Sequence, residues 1–159
     1  WSKFSGEDLC KLFGNIYRME SSICRFYNVY GDYQIKEGTY ATVLGIFQNQ
    51  YENKKPLSIV GDGEQRRDFT HVEDIVDGII RSSEQEFYGE IFELGRGVNH
   101  SINEVAGMFG KDYPCDLLPF RPGEYDVTLA DYSHAQKLLG WTPTKNLEDY
   151  MEKYINETN

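Results

Sequence analysis

The residues best suited to chemistry in this 159-residue sequence lie between positions 61 and 79, GDGEQRRDFTHVEDIVDGI. Gly61 and Gly63 leave the end of an apolar run, Leu57-Ser58-Ile59-Val60, and Arg66 and Arg67 follow at once. Glycine lets a backbone come close to a ligand, and a guanidinium grips a phosphate with two parallel hydrogen bonds. Together, past a strand and before a helix, they suggest recognition of a phosphorylated small molecule.

The rest of the chain supplies no competing chemistry. Net charge is −10 and the pI about 4.7, which disfavours nucleic acid and anionic membrane surfaces as partners. Against that acidic body Arg66, Arg67 and Arg121 stand out as local cations. Cys10, Cys24 and Cys115 are odd in number and widely spaced, so neither a disulfide framework nor a zinc site is expected. Reduced thiols, no leader segment and no apolar run near ~18 residues predict a soluble cytoplasmic protein. His71, His100 and His134 belong to separate segments and form no triad; His71 is expected to be a structural residue at a helix start.

Several elements must position these groups. Phe4, Leu9, Leu12, Phe13 and Ile16 recur at helical spacing over 2–17, and a strand is expected over 22–27. A helix is expected from about Ala41 to Tyr51, with Val43, Leu44 and Phe47 on one face, followed by the strand 57–60 after Pro56. Further helices are predicted over 72–82, 101–109, 133–139 and 147–155, the second opened by the capping pair Ser101 and Glu104. Strands are expected at 91–94 and 115–118. The alternation indicates an α/β or α+β architecture, with a single core at this length.

Six collinear stretches resemble the extended short-chain dehydrogenase/reductase family, specifically its nucleotide-sugar epimerases and dehydratases. They are WSKFSGE at the start, RFYNVYGD at 25–32, the 61–79 run, ELGRGVNHSINEV at 93–105, RPGEYDVTLAD at 121–131 and AQKLLGWTP at 135–143. UDP-glucose 4-epimerases are the nearest type. The resemblance implies the C-terminal part of a Rossmann-type enzyme joined to its small α/β substrate-binding subdomain. Residues 1–32 would end the Rossmann core, and 33–159 would be mostly substrate-binding, with segments such as 71–94 returning to the core. No glycine-rich dinucleotide loop is found, and the position of the family's catalytic tyrosine, four before Lys3, precedes Trp1. The sequence is therefore expected to be the C-terminal half of a longer enzyme, inactive alone.

The same resemblance assigns roles. Lys3 matches the lysine that binds the nicotinamide ribose of NAD and lowers the pKa of the tyrosine; a surface lysine is the plainer alternative. Phe26 matches a residue touching the nicotinamide, with core packing as an equal explanation. Asn28, Thr42 and Val43 match groups facing the substrate diphosphate, and Ser58, Ile59 and Val60 match the strand that reads the nucleobase. Arg67 and Arg121 match the diphosphate arginines and Glu124 an acid on the ribose hydroxyls, although Arg121 and Glu124 could simply pair as a surface salt bridge. Arg66 would point away from Arg67 in an extended segment and is expected to be a solvated charge. The function implied is oxidation and re-reduction of a nucleotide sugar, the substrate a UDP-sugar, in a homodimer formed through the helix at 2–17. A 4,6-dehydratase or a UDP-glucuronate decarboxylase is the near alternative, and a non-catalytic nucleotide-sugar-binding module is the rival of another class. No metal is expected.

Overall fold

The structure, a computed structural model, describes residues 1–158. In chain order it begins with α1 (Ser2–Tyr17), β1 (Ser21–Phe26), β2 (Val29–Tyr30), α2 (Val43–Glu52) and β3 (Leu57–Val60). Next come β4 (Arg66–Asp68), β5 (Thr70–His71), α3 (Val72–Ser83), β6 (Tyr88–Leu94) and β7 (Asn99–Ser101). The chain continues through α4 (Ile102–Gly107), β8 (Cys115–Leu118), α5 (Ser133–Leu139) and α6 (Leu147–Thr158).

Three pairings are parallel: β1 with β6, β2 with β5, and β3 with β8, where Leu57 lies opposite Cys115. Parallel neighbours need long crossovers, and the helices fill them. The fourth pair, β4 with β7, is antiparallel and sets Arg67 opposite His100. These pairings make the chain α/β, as expected. The short strands β2, β4, β5 and β7 were not anticipated.

Two apolar clusters hold the elements together. Leu44 and Phe47 of α2, Leu57 and Ile59 of β3, Val105 of α4 and Met151 of α6 build the larger one, with Tyr30 and Phe109. Ile75 of α3, Phe92 and Leu94 of β6, and Ala135, Leu139 and Trp141 build the smaller. Where α3 crosses β6, a Cβ on Gly78 would come within 2.7 Å of Leu94, so the close approach requires glycine. On α1 the face at Gly14 lies against the Tyr88 backbone, while Phe4, Leu9, Leu12, Phe13 and Ile16 on the remaining surface are exposed.

Helix starts follow from local capping chemistry. α2 begins two residues later than expected because Thr42 is its cap, Oγ1 accepting the Gly45 amide at 3.0 Å. His71 caps α3 through Nδ1, which accepts the Glu73 amide at 3.2 Å. Ser101 and Glu104 form the reciprocal box on α4, with Ser101 Oγ accepting the Glu104 amide and Glu104 accepting the Ser101 amide. That helix stops at Gly107, short of the expected 109. Beyond it the amides of Met108 and Phe109 turn to carbonyls three residues back. Asp74, buried in the first turn of α3, accepts the amides of Thr144 and Lys145, and its carbonyl accepts the Trp141 indole N–H at 2.9 Å.

Candidate functional site

A cavity of about 260 Å³ opens where α2, β3 and β4 face the loop after β8. Its size is close to the ~300 Å³ at which small-molecule sites begin. Seven residues singled out from the sequence line it: Asn28, Val43, Ser58, Val60, Arg67, Arg121 and Glu124. Ala41, Ile46, Gln65 and Ile102 complete the walls. A second cavity of the same volume shares Asn28 and Val43 with the first and is also lined by Thr42, Tyr30 and Phe69. Burial raises the pKa of the Tyr30 phenol, whose hydroxyl has no hydrogen-bond partner among the described residues.

The cations of the first cavity carry no carboxylate partner among the described residues. Arg67 Nη1 donates to the main-chain oxygens of Arg66 at 2.9 Å and Asp126 at 3.4 Å, which hold the guanidinium without cancelling its charge. Neither Arg121 nor Glu124 forms an ion pair among the described residues, so the surface salt bridge between them is not made. Two guanidiniums therefore share the lining with one carboxylate, inside a chain of net charge −10. At the mouth of α2 the Thr42 side chain takes the Gly45 amide. The amides of Val43 and Leu44 are left without an acceptor among the described residues. Free amides and unneutralised guanidiniums on adjoining walls can hold an anion.

A buried carboxylate sets the strand that carries Arg67. Asp68 is fully buried and accepts the amides of Arg96 at 2.8 Å, Gly97 at 2.9 Å and Ala130 at 3.0 Å, besides the Thr70 hydroxyl at 3.2 Å. These bonds join β4 to the turn after β6 and to the segment before α5. Sequence reading missed this residue, because its partners are main-chain groups far along the chain.

Three expectations need correction. Arg66 is not a solvated charge: it donates to the Asn99 side chain at 2.8 Å and to Glu104 at 3.0 Å. The Ser101 amide, with Arg66 second, holds the Glu104 carboxyl below the usual carboxylate range. Nor do Gly61 and Gly63 line the cavity. Both have left-handed backbone, Gly61 lying under the Phe120 ring and Gly63 against Asn103, so they serve a tight turn. Ile59 does not line it either; its side chain is buried in the larger cluster.

Lys3 and Phe26 lie away from the cavity. Lys3 is exposed on the first turn of α1, and Phe26 is exposed at the carboxyl end of β1. Behind Phe26, Arg25 is held by Glu7 at 2.6 Å and Glu93 at 3.4 Å. Burial, and after it the Glu93 carboxylate, push the Tyr27 phenol up to about 12, so it stays protonated at neutral pH and is no candidate base. No helix among the described residues is long and apolar enough to cross a membrane.

Comparison with known proteins agrees with the resemblance read from the six motifs. A family model described as GDP-mannose 4,6 dehydratase matches residues 1–154. The UDP-glucuronate 4-epimerase of Thermodesulfobacterium geofontis is 34% identical over 160 residues, covering 98% of this chain and 48% of that protein. Among solved structures, the UDP-glucose 4-epimerase of Thermotoga maritima with UDP-glucose aligns with a TM-score of 0.89 at 28% identity, over 98% of this chain and 52% of that one. The UDP-glucuronic acid 4-epimerase of Bacillus cereus, in complex with UDP-glucuronic acid and NAD, aligns with a TM-score of 0.84 at 32% identity, over 99% and 52%. The chain spans about half the length of the relatives it matches.

Proposed function

The chain belongs to the GDP-mannose 4,6 dehydratase family, and from that premise we propose that it forms the substrate-binding half of an NAD-dependent nucleotide-sugar epimerase, its cavity taking the nucleoside diphosphate of a UDP-sugar. The observation that carries this reading is the pair of arginines, Arg67 and Arg121, lining one cavity without carboxylate partners among the described residues. They would clamp the diphosphate, with the Asn28 amide and the free N–H groups at Val43, beside the Thr42 cap, completing the anion site. Strand β3, through Ser58 and Val60, would lie along the base. Glu124 would accept from the ribose hydroxyls.

NAD would be held in this chain by Lys3 and Phe26. Their placement suits it: Phe26 is exposed at the carboxyl end of a parallel strand, the side on which open α/β sheets bind ligands, and Lys3 is exposed without an ion pair among the described residues. When bound, NAD supplies the hydride acceptor that oxidation of a sugar hydroxyl needs. The Lys3 ammonium would favour the ionised form of a phenol brought beside it. The cavity residues would contribute by fixing the diphosphate and hence the sugar. By itself the chain would bind nucleotide without turnover. The exposed apolar stripe of α1 would form the contact between two copies.

Calorimetric titration with UDP tests this. Removing one charge-assisted contact of about 1.5–3 kcal/mol predicts roughly 10–150-fold weaker binding by Arg67→Ala. Equal affinities for the two proteins, or no binding by the well-folded chain, would overturn the reading.

A further inference from the structure

Strand β3 is paired on one edge only among the described residues. The Leu57 amide donates to the Pro114 carbonyl at 2.9 Å and the Gly61 amide to the Leu118 carbonyl at 2.9 Å. Alternate residues of this edge thus turn toward β8, and the main-chain groups of Ser58 and Val60, both lining the cavity, turn the other way. Two glutamines meet that second edge. Gln50, in the last turn of α2, accepts the Ser58 amide on Oε1 at 3.0 Å and donates from Nε2 to Ser58 Oγ at 2.8 Å. Gln65 donates from Nε2 to the Val60 carbonyl at 2.9 Å. The Ser58 carbonyl and the Val60 amide, neighbours on the edge, have no partner among the described residues.

Resting on the nucleotide reading of this cavity, we infer that Gln50 is a positioning residue for the base. It takes up the amide and hydroxyl of Ser58, so that the free edge offers one acceptor, the Ser58 carbonyl, beside one donor, the Val60 N–H. A planar heterocycle carrying an N–H next to a carbonyl, as the imide edge of uracil does, answers that pattern. A carboxamide suits the task because one end accepts from the Ser58 N–H while the other donates to the hydroxyl. With the side chain gone, Ser58 gains a loose donor and a rotating hydroxyl, and the edge loses its single pattern. Gln50 itself does not line the cavity, so it acts on the ligand through Ser58. Gln65 does line it and would confuse contact with positioning.

The test is titration of the whole chain and two variants, Gln50→Ala and Gln50→Glu, with UDP, N3-methyl-UDP and inorganic pyrophosphate; circular dichroism confirms that each is folded. The wild-type chain should prefer UDP to its N3-methyl form by about tenfold, the worth of one hydrogen bond. Gln50→Ala should weaken UDP binding several-fold, narrow that preference and leave pyrophosphate unchanged. Gln50→Glu, whose carboxylate can accept from both Ser58 groups, should restore the ratio of UDP to pyrophosphate affinity. Unchanged UDP preference in Gln50→Ala, or an equal loss for pyrophosphate, overturns the positioning role; Arg67-dependent pyrophosphate binding would then leave the nucleotide reading standing. Failure of the folded wild-type chain to bind UDP or pyrophosphate overturns both.

Discussion

Replacing Asp68 by alanine should destabilise the protein by about 3–4 kcal/mol. The carboxylate is fully buried and serves three main-chain amides, those of Arg96, Gly97 and Ala130, at 2.8–3.0 Å. The Arg96 amide keeps the Thr70 hydroxyl as a second acceptor at 3.0 Å, whereas the Gly97 and Ala130 amides and the Thr70 hydroxyl lose theirs. At about 1–3 kcal/mol for each buried donor, three would cost about 3–9. Gly97 is only half-buried, however, and water can reach its amide once the side chain is shortened; Thr70 and Ala130 are buried and stay unsatisfied. The lower end is therefore expected. Asparagine keeps one acceptor oxygen but turns an NH2 group toward donors, and should lose about half as much. Equilibrium urea unfolding followed by circular dichroism measures both, with an unchanged m-value showing that stability alone has moved. Domains of this size are held by only about 5–15 kcal/mol, so the loss would be plain in the midpoint. A loss below about 1 kcal/mol in Asp68→Ala would refute the reasoning, since the amides must then find other acceptors without cost.

Two further outcomes are expected. Because the Glu104 carboxyl is held below the usual range in the folded chain, the unfolded chain takes up its proton first on acidification. The stability it contributes is complete above the ordinary carboxylate pKa and is lost as pH falls through the lower folded value. Glu104→Gln should accordingly flatten the fall in urea midpoint between about pH 5 and 3, and an unaltered slope would count against the Ser101 and Arg66 contacts. Leu12 and Ile16 are 48% and 59% exposed on α1, and a stripe of this kind should drive self-association; Leu12→Arg with Ile16→Arg should shift the chain to monomer in sedimentation velocity. A wild-type chain that is monomeric at high concentration would remove α1 as the contact.

What could be read from the sequence was whatever local chemistry decides. The strand at 57–60 is bounded by Pro56 and Gly61, α5 ends where Gly140 takes the left-handed conformation, and the Ser101–Glu104 box opens α4. The strands that escaped, β2, β4, β5 and β7, hold two or three residues each, too few for a period to show, and exist through distant partners. The cavity lining was legible where the six motifs reached it, at Asn28, Arg67, Arg121 and Glu124 among others. Arg66 was misjudged because its partners Asn99 and Glu104 lie over thirty positions away. Gln50 went unnoticed for a similar reason: a polar residue near the end of a helix looks like one more solvated side chain.

The cavity is closed by contacts between distant parts of the chain. Its lining comes from positions near 28, 43, 60, 102 and 121, and the pair β3–β8 closes a loop from Leu57 to Cys115. Contacts so distant in sequence carry their loop-closure entropy before they return any energy, and they form late in folding. On the ribosome, the arginine at 67 would emerge well before the one at 121 that lines the same cavity. On the proposed reading, a bound nucleotide can therefore guide no early step. Its effect should be to slow the opening of the finished site, leaving the refolding rate almost untouched.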